Sequence, residues 1–197
     1  MRRADWFTLA LVASIGTVAA PRAGAGMETF TATLLQQTNM RESGTRTWPL
    51  TFHIESWTSP EEAARLDAVL QEGGPDALLR EFRKGKSRAG HIVSSGYMRE
   101  PSWRVAMATV RDTPRGRVVL LVTDRPIGFA ESWANARSVD YPFSVFEFTL
   151  DGKGRGQGVA IPAARLADAD GGPLTFEMLP YVTGPDRLLA VRRWTND

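Results

Sequence analysis

The chain has 197 residues, of which 24 are lysine or arginine and 22 are aspartate or glutamate. It contains no cysteine, which excludes disulfide bonds, zinc–thiolate sites, iron–sulfur clusters and cysteine nucleophiles. The N-terminal segment carries three arginines and one aspartate, so the rest of the chain has equal numbers of basic and acidic residues. This balance argues against a nucleic-acid partner, because binding to a phosphate backbone needs an excess of positive charge.

The N-terminus has the order of features found in a secretory signal peptide. A pair of arginines precedes an apolar run over residues 6–20, and the small residues Ala23 and Ala25 follow it. The run is shorter than the ~20 residues that a membrane-spanning helix needs. We therefore predict that residues 1–25 are a signal peptide, and that the protein is periplasmic or secreted. The rest, residues 26–197, is predicted to be a single domain without a transmembrane span.

Most of this domain alternates apolar and polar residues with a period of two, the pattern of half-buried β-strands. In one such segment Leu50, Phe52 and Ile54 alternate with polar residues. Short turn-forming segments separate the strands, which favours antiparallel pairing. The predicted fold class is mainly β: an antiparallel β-barrel or a closed β-sandwich of about 8–9 strands. The nine predicted strands are 28–37, 45–57, 90–95, 102–111, 117–123, 142–150, 158–166, 174–179 and 187–194.

One helical region interrupts the strands. Ser59 and Glu62 form a capping box, and the proline that follows Ser59 suits the first helical position. Apolar residues then recur at helical spacing as far as Gly74, and a second helix is predicted to begin at Pro75. The sequence therefore predicts an inserted αα-hairpin over about residues 60–85, packed on an opening or an edge of the barrel.

Glycine occupies every second position of the segment 151–158, DGKGRGQG, which raises the question of a phosphate-binding loop. Such a loop lies between a strand and the N-terminus of a helix. Here the residues that follow have strand character and include Pro162, and the spacing fits neither the dinucleotide-binding fingerprint nor the P-loop. The segment is therefore predicted to be the turn of a β-hairpin, and no cofactor is predicted.

Three stretches of sequence carry a resemblance to a known family. They are the capped helical segment SPEEAARLDAVLQEGG, the segment VTDRPIGFAES and the segment SVDYPFSVFEFTLDGKGRGQGVA. Together they resemble a family of exported bacterial β-rich proteins without an assigned activity. The resemblance extends over nearly all of the chain after the leader. It implies export and a single domain, and it carries no catalytic residue, cofactor or ligand with it.

The loop after the strand 117–123 carries the carboxylates Asp124, Glu131 and Asp140. Loops positioned by a rigid sheet often hold functional groups. Two carboxylates, one of them desolvated, can act as general acid and general base. These three residues are the catalytic candidates. The favoured interpretation of Asp124 is nevertheless structural, as an acceptor for the backbone of its own turn.

Four further residues are candidates for ligand binding. Arg125 and Tyr141 flank the same loop, and Trp103 is an aromatic residue suited to line a barrel interior. Glu147 alternates with phenylalanines, and the face of Phe148 is predicted to be the core face. Two positions of Glu147 remain open: inside the barrel beside an arginine, or on the outer surface.

His53 and Glu55 share one face of a strand, and with His91 they form a set of ordinary metal ligands. The chain has only two histidines, and the sequence does not give the distance between their strands. The favoured interpretation is that His53 and Glu55 face solvent and that no metal is bound.

Basic residues crowd the end of the second predicted helix. They complement the helix dipole, and a local contact with lipid headgroups or an acidic partner is the alternative. The residues are Arg80, Arg83, Lys84, Lys86 and Arg88.

The leading functional hypothesis is an exported, non-enzymatic binding domain. An eight-stranded barrel has room for one small ligand. The domain would then hold a small apolar molecule in its interior, or bind an envelope protein by its surface. One alternative is an enzyme of the hydrolase or isomerase type that uses carboxylates of the 124–141 loop. Another is a structural or inhibitory interaction protein.

Overall fold

The computed structural model describes residues 27–37, 45–85, 88–95, 102–127, 141–167, 175–178 and 185–194. The predicted signal peptide, residues 1–25, lies outside these ranges. The elements are β1 (Glu28–Gln37), β2 (Thr45–Ile54), α1 (Pro60–Arg83), β3 (Gly90–Ser94), β4 (Ser102–Thr113), β5 (Gly116–Thr123), β6 (Phe143–Leu150), β7 (Arg155–Ala167), β8 (Thr175–Met178) and β9 (Asp186–Trp194).

Eight of the strands close into an antiparallel barrel. Each is hydrogen-bonded to the next in the order β1, β2, β3, β4, β5, β6, β7, β9, and β9 returns to β1. β8 pairs with the C-terminal end of β7 and adds a ninth strand outside this ring. The prediction of a mainly β fold, closed and antiparallel, is confirmed.

The glycine-rich segment forms the turn between β6 and β7, as predicted. The carboxylate of Asp151 accepts hydrogen bonds from the backbone N–H groups of Lys153 (2.8 Å) and Arg155 (2.9 Å), which closes the turn. β7 begins at Arg155, earlier than expected, so Gly156 lies inside the strand. A Cβ at Gly156 would lie 1.7 Å from the carbonyl oxygen of Thr149, so the close approach of β6 requires glycine here.

The barrel interior is a hydrophobic core to which all eight strands contribute. Inward-facing residues alternate along each strand, as Phe30, Ala32 and Leu34 do along β1. Aromatic rings fill the centre: the ring centroid of Phe148 lies 5.3 Å from that of Phe30 and 5.6 Å from that of Phe52. The face of β6 that carries Phe148 is therefore the core face, as its alternation predicts.

Helix α1 bends sharply at Gly74, whose φ of 69° is not helical. Ser59 caps its N-terminus, because its hydroxyl oxygen accepts a hydrogen bond from the backbone N–H of Glu62 at 3.2 Å. The two helical segments fold back on each other, since Arg65 in the first donates to Glu81 in the second at 3.3 Å. This arrangement is the αα-hairpin that the sequence predicts.

The hairpin packs on the outer face of the barrel wall. Leu66, Leu70, Leu78 and Phe82 are buried in a second hydrophobic cluster with residues of β4 to β7. Along β5 and β6 the residues of this cluster alternate with those of the interior core, so the two clusters lie on opposite faces of the same strands. The predicted position of the hairpin, on an opening or an edge of the barrel, is wrong. The apolar side of the hairpin packs instead on apolar residues of the outer wall. No helix in the described part of the chain is long and apolar enough to cross a membrane.

Candidate functional site

An ion pair closes one end of the barrel. Glu28 on β1 and Arg117 on β5 extend from opposite walls and form a bidentate pair at 2.7 and 2.8 Å. The indole N–H of Trp57 donates to the same carboxylate at 3.2 Å. The guanidinium of Arg117 also lies over the Trp57 ring, 5.3 Å from its centroid. Together these three side chains cover the interior core at this end.

The segment after β5 closes the opposite end. Ile127 is 2% exposed and belongs to the interior core. Its backbone N–H donates to the hydroxyl oxygen of Ser144 at 2.6 Å, and that hydroxyl donates to the carbonyl oxygen of Pro162 at 2.6 Å. The TDRPI sequence, one of the stretches that carry the resemblance, therefore ends in a residue that seals the barrel.

Three cavities formed by the described residues lie outside the interior core. Their volumes are about 540, 330 and 70 Å³. None of the three is lined by the buried aromatic residues that would have to surround an apolar ligand in the barrel. Trp103, the candidate for lining such a cavity, is 2% exposed and packs within the core itself.

Asp124, the first catalytic candidate, is held by Arg104 of β4. The guanidinium donates to Oδ2 of Asp124 through Nε at 3.0 Å and also through Nη2. The same Nη2 donates to the carbonyl oxygen of Phe82 in the last turn of α1. The carboxylate is only 14% exposed and the guanidinium side chain 26%. The pair thus joins the helical hairpin to the barrel wall, and the partner of Asp124 is an arginine rather than its own turn.

Replacing Asp124 with alanine is expected to lower the free energy of unfolding by roughly 1–3 kcal/mol, because the half-buried guanidinium of Arg104 loses its carboxylate partner. Urea unfolding followed by circular dichroism measures this loss. Asp112→Ala on the same pair of strands is the matched control, since Asp112 is exposed and should change stability by less than about 0.5 kcal/mol. Equal stability of the two variants would contradict the structural role.

The other candidates of this loop are only partly within the structure. Glu131 and Asp140 lie outside the described residues, so their predicted convergence stays a prediction. Arg125 donates to a backbone carbonyl of β4 at 2.7 Å. Tyr141 is partly buried immediately before β6. The described residues of the loop therefore hold it against the barrel wall through contacts with β4.

Glu147 lies on the outer face of β6, between Leu120 of β5 and Val159 of β7. Its Oε2 atom is buried and has no hydrogen-bond partner among the described residues. Desolvation by burial raises the pKa of this carboxyl, and the positive charge of Arg111 opposes the rise. Of the two positions that the sequence left open, the structure shows the outer one.

Glu147→Gln is expected to stabilise the protein at neutral pH. A raised pKa in the folded state means that the stabilising contribution of this group is complete at acid pH and is lost as the pH rises through the folded pKa. The variant should therefore gain on the order of 1 kcal/mol over the native protein at pH 7.5, and the gain should vanish near pH 4. Urea unfolding at both pH values measures it. The exposed Glu72→Gln is the control, and an equal gain there would contradict the assignment.

The three metal candidates come together on the outer face of the barrel. His53 and His91 are directly opposite in the β2–β3 ladder, and their stacked rings have centroids 4.7 Å apart. Glu55 Oε1 lies 3.0 Å from Nδ1 of His91 and 3.4 Å from a guanidinium nitrogen of Arg88. Burial and then the neighbouring His91 lower the pKa of His53, and Glu55 opposes them. Within the described ranges, no three or more histidine and acidic side chains are arranged to enclose a metal ion.

The cavity of about 540 Å³ lies between α1 and the loop that precedes it, and we call it the polar cleft. Its walls combine hydroxyl groups with ion pairs. Arg65 binds both carboxylate oxygens of Glu62 at 2.8 Å, and Lys84 pairs with Glu81. The polar cleft is lined by Ser56, Trp57, Thr58, Ser59, Glu62, Arg65, Glu81, Lys84, Arg88, Ala89 and Ala106.

The cations of the polar cleft are more exposed than the carboxylates with which they pair. Lys84 is 60% exposed against 20% for Glu81, and Arg88 is 60% exposed against 37% for Glu55. The mouth of the cleft therefore presents positive charge, although the protein as a whole is nearly neutral. Of the lining residues, sequence reasoning named Lys84 and Arg88 as candidates for contact with a partner, and Ser59 and Glu62 only as the helix cap. The sequence predicts the fold-back of α1, but the pairing of Arg65 with Glu81 across it has no local signal.

Models of protein families, curated proteins and solved structures yield no match to this chain.

Proposed function

We propose that this protein is an exported, non-enzymatic binding domain that engages an acidic segment of an envelope protein at the polar cleft. The proposal rests on where the described residues leave a cavity, which is on the outer surface of the barrel. Among the described residues, buried aromatic and aliphatic side chains form the interior core, with the Glu28–Arg117 pair at one end and Ile127 at the other. The cleft of about 540 Å³, by contrast, is open on the outer surface.

The chemistry of the cleft favours an anionic polypeptide over an apolar molecule. Small-molecule sites are mostly apolar with a few polar groups. The cleft instead carries three cations, Arg65, Lys84 and Arg88, against the two less exposed carboxylates Glu62 and Glu81. The exposed Arg80 and Arg83 lie on the neighbouring turn of α1. Positive charge concentrated at one mouth steers an acidic partner and fixes its orientation.

A binding role also accords with the state of the first catalytic candidate. The carboxylate of Asp124 accepts two hydrogen bonds from Arg104 and is 14% exposed. These hydrogen bonds commit the carboxylate to the contact that joins β4 to the end of α1. We therefore place binding before catalysis.

Zero-length carbodiimide cross-linking in intact cell envelopes tests the proposal, because it joins lysine amines to carboxylates in direct contact. The chain has only three lysines: Lys84 lines the cleft, Lys86 follows it two residues later in the sequence and lies outside the described residues, and Lys153 is in the β6–β7 turn. We expect Lys84 or Lys86 to be joined to acidic residues of one partner protein, identified by mass spectrometry of the cross-linked peptides. Lys153 serves as the internal control, and we expect no cross-link to it.

The double variant Lys84→Glu, Arg88→Glu should reduce the yield of this cross-linked complex, including the part formed through Lys86, by at least about tenfold. Arg155→Glu, Arg192→Glu makes the same change of charge at two exposed, paired positions on β7 and β9 and should leave the yield unchanged. Cross-links spread equally over all three lysines would contradict the proposal. So would a small molecule that co-purifies in native mass spectrometry while no protein partner is linked.

A further inference from the structure

The only two imidazole groups of this chain are neighbours. The sequence contains two histidines among 197 residues, and these two, His53 and His91, occupy opposed positions on β2 and β3. Both face outward, because the adjacent residues of β2, Phe52 and Ile54, belong to the interior core. Their rings are 4.7 Å apart between centroids and are inclined by only 25°.

Hydrogen bonds at the base of each ring determine which nitrogen remains available. Nδ1 of His91 is 3.0 Å from Oε1 of Glu55, and a carboxylate only accepts, so Nδ1 is the donor in this contact and Nε2 is the nitrogen left for a ligand. Nδ1 of His53 is 3.3 Å from the hydroxyl oxygen of Thr29, a contact in which Nδ1–H can likewise donate. Among the described residues, no side chain or backbone group bonds to Nε2 of either ring.

This is the arrangement that metal-binding histidines use. A ligating imidazole almost always donates its second N–H to a carboxylate or another oxygen, which fixes the tautomer and the orientation of the ring. The charged side chains next to the pair are Glu55, Arg88 and Arg104, the last being the register partner of His91.

We propose that His53 and His91 form a two-histidine site for a divalent transition metal on the outer face of the barrel. Their Nε2 atoms are the protein ligands, and water completes the coordination sphere. Glu55 is a positioning residue that holds the ring of His91. Two imidazole nitrogens select metals of the borderline class, with Cu²⁺ bound more tightly than Ni²⁺ or Zn²⁺. Both Nε2 atoms reach one ion when the stacked rings tilt slightly towards each other, with Nδ1 of His91 still bonded to Glu55.

Titration of the full-length, untagged protein with Cu²⁺ and with Zn²⁺, followed by calorimetry, tests this site. We expect one ion per chain for each metal, with the tighter binding for Cu²⁺. In ¹⁵N spectra of the histidine side chains, Zn²⁺ should shift the Nε2 resonances of both residues and leave both Nδ1 atoms protonated. Cu²⁺ or Zn²⁺ binding at micromolar protein without any change at the histidine nitrogens would overturn the proposal.

Variants separate this site from binding elsewhere. His53→Ala and His91→Ala should each weaken Cu²⁺ binding by more than about tenfold, and Glu55→Ala by about tenfold while one ion per chain is still bound. The control is Thr51→Ala, the neighbouring outward position on β2, which should bind Cu²⁺ like the native protein. All four positions are on the outer face, and circular dichroism checks that each variant is folded. Native-like affinity in either histidine variant would show that the metal binds elsewhere. Native-like affinity in Glu55→Ala would remove Glu55 from the site. The result is independent of the polar cleft, whose test is a cross-link to a protein.

Discussion

Replacing Gly156 with alanine is expected to lower the free energy of unfolding by about 3 kcal/mol or more, a large part of the roughly 5–15 kcal/mol that stabilises a typical domain. A Cβ at this position would lie 1.7 Å from the carbonyl oxygen and 2.8 Å from the carbonyl carbon of Thr149. These are backbone atoms of the paired strand β6, so the clash cannot be relieved by rotating a side chain. Relief requires β6 and β7 to separate, and this seam closes the barrel. Urea unfolding followed by tryptophan fluorescence measures the loss.

Two other glycines of the same turn provide graded controls. A Cβ at Gly152 would have no other atom within 4 Å, so Gly152→Ala should change stability by less than about 0.5 kcal/mol. Gly154 has a φ of 71°, and alanine there should cost about 1–2 kcal/mol for the left-handed backbone alone. The expected order of stability is therefore Gly152→Ala, then Gly154→Ala, then Gly156→Ala. If Gly156→Ala is as stable as Gly152→Ala, the two strands do not approach as closely as described.

Phe148→Ala should cost about 3–5 kcal/mol, the usual loss for a phenylalanine removed from a packed core. Phe148 is 1% exposed, and its ring contacts those of Phe30 and Phe52 at the centre of the barrel. The substitution should also create an apolar void. We therefore expect benzene to raise the melting temperature of the variant and to leave that of the native protein unchanged. Thermal unfolding with and without benzene measures both effects.

The measurement on the native protein is the more informative one, because a barrel that stores an apolar molecule must already contain a cavity for it. Stabilisation of the native protein by benzene would contradict a filled interior and restore the hypothesis of an apolar ligand. Phe148→Leu is the conservative control: it keeps most of the apolar volume, so its loss of stability should be clearly smaller than that of Phe148→Ala.

The signals that predict this fold are local. Alternation depends on residues two apart and the capping box on residues three apart, so neither needs knowledge of the rest of the molecule. The outer position of the hairpin also had a signal. Every residue from Val118 to Val122 is apolar and buried, which requires a cover on both faces of β5. The hairpin is the helical element of the described chain that provides this cover.

The sites depend on contacts between residues that are distant in sequence. Glu28 and Arg117 are 89 residues apart, and their pairing follows from the closure of eight strands. Each nevertheless shares the inward register of its strand with core residues, and an inward charge at a strand end is a signal for an interior ion pair. The opposition of His53 and His91 had no such signal. It is set by the register of β2 against β3, and the whole of α1 separates these strands in the chain.

Backbone hydrogen bonds between β9 and β1 complete the ring of strands, and β9 also pairs with β7. Until β9 is in place, β1 and β7 each present an unpaired row of backbone groups, on which other chains can build sheets. The barrel therefore cannot close until β9 has been synthesised and has paired with β1 and β7. A polypeptide shortened before Asp186 should be degraded or should aggregate rather than persist as a partial barrel.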